Sequence, residues 1–190
     1  FNGDGYSDEW VKEAERRGLP NIRCMIDAAG TLTTEKSVRL FEKFGIFTKA
    51  ELISREEIIY ETYAKTLNIE ALTMINMANK KIIPAVIRYS KSLADTVIAV
   101  KAAGADASVQ RDILNTVSSK LITAKNALLR LEEATAQAGN IKSAKDKAFF
   151  YKDTVKVEMD ALRKPVDELE LVVDKSMWPM PTYGDLTFEV

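Results

Sequence analysis

Apolar and polar positions repeat along this chain with a helical period. Ser7 to Arg17 reads as a short helix. Ser7 suits the N-cap, Asp8 and Glu9 suit the positive end of the helix dipole, and Gly18 with Pro20 stop it. Residues 21–33 show no period and read as irregular. A second short helix spans about Thr34–Phe44, with Val38, Leu40, Phe41 and Phe44 apolar, and Gly45 ends it. Thr48 followed by Glu51 is a capping box. It opens a helical stretch that runs to Gly104, with a kink expected before Pro84 and a further break at Asn68.

The next helix spans about 106–138. Its apolar positions Ile113, Val117, Leu121, Ala124, Leu128 and Leu131 fall at steps of three and four. A turn at Ala138–Asn140 leads into a last long helix. Its seam runs Ile141, Ala144, Ala148, Tyr151, Val155, Met159, Leu162, Val166, Leu169 and Val173, and Pro165 should bend it. Short connections between long helices force antiparallel neighbours. The pattern predicts an all-α protein: an antiparallel three-helix, up-down-up bundle. A short helical segment precedes it and an extended tail follows it. In the tail, Leu186, Phe188 and Val190 alternate with polar residues after Pro179 and Pro181, which reads as one strand or an extended arm.

Composition agrees with helices and removes much chemistry. Gly and Pro are scarce, at 8 and 5 of 190 residues, which favours unbroken helices. The formal net charge of −1 gives no bulk attraction to nucleic acid or anionic lipid. No apolar stretch is long enough to span a bilayer, and no signal peptide is visible. The single cysteine, Cys24, forms no internal disulfide and fits a reducing, cytoplasmic setting. The first residue is Phe, so the natural start is expected to lie further upstream. Histidine is absent, which removes Ser-His-Asp and Cys-His catalysis and His-ligated metal.

The candidate sites are correspondingly few. The opening FNGDGYS lacks the Gly-Lys-Ser/Thr of a phosphate loop, and Asp4 would repel phosphate, so it reads as a turn before a capped helix. The acid pairs Glu56–Glu57 and Glu132–Glu133, and Glu168 with Glu170, read as solvated faces, because adjacent helical residues do not face each other. Met74 and Met77 suggest adaptable core packing ahead of a binding groove. Phe149, Phe150 and Tyr151 cannot all point inward on one helix. They are either surface aromatics or an interface. With Trp178, Tyr183 and Phe188 of the tail they form the candidate interface set. No catalytic, cofactor or metal residue is identified.

Four phrases carry a resemblance: FNGDGYSDEWVKEAERRGLPN, YAKTLNIEALTMINMA, IIPAVIRYS and WPMPTYGDLTFEV. Together they resemble the C-terminal region of bacterial type III glutamine synthetases. LFEKFGIFTKAELISREEIIYETYAK is similar to the closing segment of glutamine synthetase catalytic domains in general. The resemblance implies that residues 1–66 complete a catalytic domain, that 67–177 form the extra long-helix bundle and that 178–190 are the tail. It implies a full enzyme that joins ammonia to glutamate with ATP and a divalent metal (Mg or Mn), and that assembles as a homo-oligomeric ring. The catalytic and metal residues would then lie upstream, and the chain's first partner would be that upstream domain. FNGDGYS becomes a junction inside a longer chain. The competing reading is a free-standing helical-bundle interaction module.

Overall fold

Several helices begin where a side chain accepts an orphan amide of the first turn. The computed structural model describes residues 3–181 and 183–188, and these contain helices and turns with no strand among them. In α1 (Asp8–Arg16) the Ser7 hydroxyl accepts the Trp10 amide at 3.2 Å. Gly18 closes it at φ +70°, and the Leu19 amide returns to the Ala14 carbonyl. In α3 (Glu35–Lys43) Thr34 accepts the Ser37 amide, and Gly45, at φ +62°, ends the turn that follows. Thr48 and Glu51 form the expected box at the start of α4 (Lys49–Met77). The Thr48 amide donates to Glu51 Oε2 at 2.7 Å, and the Glu51 amide donates back to Thr48 Oγ1 at 3.4 Å.

Segment 21–33 is not irregular. It holds α2 (Met25–Ala29) and a 3-10 turn (Gly30–Thr33). Both are too short to show a period. They exist because Ile26 and Ala29 are buried and because a side-chain network pins the turn. Thr33 Oγ1 donates to Glu56 Oε2 at 2.6 Å, and the Tyr60 hydroxyl donates to Glu56 Oε1 at 3.0 Å. Asn68 does not break α4, which continues through it.

The chain divides into two units, Phe1–Tyr63 and Ala64–Val190, with the division inside α4. In the second unit, a π-helical turn (Ala78–Ile82) precedes α5 (Ile83–Ala102). Pro84 has no amide to give the carbonyl four residues back, so the wider turn stands where the kink was expected. After Gly104, at φ +80°, α6 (Ser108–Gly139) follows. Then come α7 (Ala144–Phe150), a second π-helical turn (Tyr151–Val155) and α8 (Lys156–Glu170).

The core of this unit is α6, which packs against both α5 and α8. Val117, Ala124, Leu128 and Leu131 of α6 are buried, with Val155, Leu162 and Leu169 from the last helix. The helices are also tied at their surfaces. Asn79 donates to Glu132 at 2.7 Å, Arg130 pairs with Glu158 at 2.8 Å, and Lys120 pairs with Glu168. Buried Thr135 is satisfied by the Leu131 carbonyl at 2.7 Å.

The tail corrects an expectation. Tyr183–Phe188 form a short helix, α9, not a strand or an extended arm. A lone strand leaves its backbone unpaired, whereas a helical turn satisfies part of its own, and no sheet edge exists among the described residues. Asp185 also suits the first turn of a helix. Val190 lies outside the described residues. Among those residues no helix is long and apolar enough to cross a membrane.

Candidate interface surfaces

The aromatic run sits where α7 meets the second π-turn. Ser143 caps α7 by accepting the Asp146 amide at 3.2 Å, which fixes the phase of the helix. Phe149 and Phe150 are half-buried, and the Lys152 ammonium lies 5.2 Å from the centre of the Phe149 ring. Tyr151 turns inward and is buried. Its hydroxyl donates to Asn68 Oδ1 at 2.9 Å, and burial pushes its pKa up. Asn68 therefore serves as a polar partner inside the second unit.

The tail is folded back by its own side chains. Asp174 Oδ1 accepts the Ser176 amide at 2.7 Å, and the Trp178 amide returns to the Asp174 carbonyl at 3.0 Å. Trp178 is buried, and its indole N–H has no hydrogen-bond partner among the described residues. Lys175 and Asp185 form an ion pair across the turn. Phe188 is 83% exposed. Tyr183 belongs to α9, but its side chain lies outside the described residues. The five candidate residues whose side chains are described differ in burial. Tyr151 and Trp178 are core residues, Phe149 and Phe150 lie at the rim, and Phe188 faces solvent.

At Met74 and Met77 the sequence reading ranked a binding groove behind core packing. A cavity of about 870 Å³ is bounded by Met74, Met77 and Ile82 on one side, Leu162 and Val166 of α8 on another, and Met180 and Leu186 of the tail. Met74 and Met77 are half-buried at its wall. Two methionines one turn apart were the available signal. Nothing in the sequence indicated that the tail would bring a third.

The acid pairs take structural roles where their contacts are clear. Glu56 holds the 3-10 turn, Glu132 accepts from Asn79, and the Lys120 ammonium lowers the Glu168 pKa. No group of three or more acidic or Cys side chains among the described residues is placed to hold a metal ion.

Comparison with known proteins places this architecture. The family model described as glutamine synthetase C-terminal domain matches residues 1–101. The chain is 36% identical, over 100% of its length, to a glutamine synthetase from Butyrivibrio fibrisolvens. It is 30% identical, over 99% of its length, to a glutamine synthetase from Bacteroides fragilis. It is 32% identical, again over 99%, to a type-3 glutamine synthetase from Dictyostelium discoideum. It spans only 26–27% of the length of these relatives. A family match over more than half the chain, with relatives at this identity along essentially all of it, makes the chain a member of the glutamine synthetase C-terminal domain family.

Proposed function

We propose that this chain is the non-catalytic C-terminal helical region of a type III glutamine synthetase, with a bracing or regulatory role in the assembled enzyme. The whole enzyme would join ammonia to glutamate with ATP and Mg or Mn in the cytoplasm. Its metal and nucleotide sites would lie in the roughly three quarters of its relatives' length that this chain does not span. The observation that carries the reading is the similarity along the entire chain to proteins of that name.

In this reading residues 1–66 close the catalytic domain, 67–177 form the brace and 178–190 are its tail. The exposed apolar side chains of the first unit support it. Leu40, Ile46 and Phe44, the last 64% exposed, cluster around the end of α3, where an isolated fold gains nothing by showing them. The upstream catalytic domain is the partner proposed to cover them. The second unit is proposed to be the up-down-up bundle. Its cross-helix pairs descend on one helix as they rise on the other: Lys120 with Glu168, then Arg130 with Glu158. Phe149, Phe150 and Phe188 are the aromatics left available for contact between subunits of a homo-oligomer.

The test is a chimera. The matching segment of the Butyrivibrio fibrisolvens enzyme is replaced by this chain, and F149A/F150A is then introduced. The proposal expects the chimera to assemble and to form glutamine. It expects the double variant to lose assembled mass by light scattering, or to lose several-fold in rate. Unchanged mass and unchanged rate would overturn the bracing role. A free-standing interaction module, the second reading, expects the chimera neither to assemble nor to catalyse.

A further inference from the structure

The cavity of the second unit has the chemistry of a ligand site. Its volume of about 870 Å³ falls within the range of small-molecule pockets, roughly 300–1,000 Å³. Three of its wall residues are methionines, Met74, Met77 and Met180, whose flexible thioethers adapt to irregular apolar guests. One wall carries Ala78 and Ile82 of the first π-turn, and such turns recur at functional sites.

The charges at its rim do not cancel. Arg163 and Asp167 neutralise each other at 3.2 Å. Glu170, also at the rim, has no ion-pair partner among the described residues. It is the last residue of α8, where the negative end of the helix dipole adds to its charge. The rim therefore favours a cation.

The tail limits what can enter. Met180 and Leu186 form a third wall, held by the Lys175–Asp185 ion pair. Along the helices the opening extends only from about Met74 to Ile82, roughly 12 Å at 1.5 Å per residue. A compact molecule fits this space better than a helix passing through it.

We propose that this cavity binds a small organic cation, with its apolar body against Met74, Met77 and Met180 and its ammonium or guanidinium group at Glu170. The probes are 4-phenylbutylamine, 4-phenylbutanol and 4-phenylbutyrate, which share a skeleton and differ in charge. The readout is the methionine methyl spectrum of the full 190-residue chain under titration. Saturable shifts are expected at Met74, Met77 and Met180, with Met25, exposed in the first unit, unmoved. The amine should bind on the order of threefold or more tightly than the acid, the scale of one partly exposed charge pair. E170Q should erase that preference while the buried Met159 signal keeps its position. No saturable shift at the three methionines, equal binding of amine and acid, or a preference that survives E170Q would each overturn the proposal.

Discussion

At the scale of single residues, Tyr60 shows most clearly how a buried polar group is paid for. It is 2% exposed, and its hydroxyl finds Glu56, which also receives Thr33. Burial first, then the Glu56 hydrogen bond and charge, push its pKa from 10.0 up to about 12. The folded state thus holds this proton after the unfolded chain has released it. The stabilisation is complete below pH 10 and is lost as pH rises towards about 12. The stability of the wild type minus that of Y60F, from urea midpoints, should shrink between those limits. A difference flat with pH would mean that Tyr60 ionises as it does in the unfolded chain. The Glu13 carboxyl is the mirror case. Hydrogen bonds from Arg16 and Arg17 hold it at about 2.

At the scale of elements, start and stop chemistry was read from the sequence and phase defects were not. Ser7 and the Thr48–Glu51 box cap where their spacing said they would, and Gly18, Gly45 and Gly104 all adopt positive φ. Such signals are local, so a single sequence carries them. T48A should cost about 1 kcal/mol in the unfolding transition that includes the first unit. E51A should add less than its single effect, because the two hydrogen bonds are reciprocal. Full additivity in chemical denaturation would show that the box does not act as one device. The short α2 and α9 were missed because burial and an ion pair hold them, not propensity. The π-turns did leave a trace. The seam of the last helix doubles its step of four only at Tyr151, Val155 and Met159, and Ala78, Ile82 and Val86 are likewise buried at steps of four. The interface set was least legible, because which of three adjacent aromatics turns inward depends on Asn68, 83 residues away.

At the scale of the whole molecule, the apolar surface of the first unit decides behaviour in solution. Leu40, in the helix that buries Val38, and Phe44 and Ile46 just after that helix all lie exposed. Light scattering across a dilution series should give a mass that rises with concentration, and F44S/I46S should lower it. A constant monomer mass for the unsubstituted chain would mean that this surface is tolerated in water, and the case for a covering catalytic domain would lose its support. The net charge of −1 offers little repulsion to oppose such association.

The two π-helical turns also bear on how sequences of this kind can change in length. Each turn holds one residue more than an α-helical turn needs. A single-residue deletion within 78–82 or 151–155 can therefore be absorbed by tightening to an ordinary turn, with the helix unbroken. Elsewhere in these helices the same loss would swing every later side chain by about 100° around the axis and carry the buried seam out of register. These two turns are where the helices of the second unit can lose a residue without losing their buried seam.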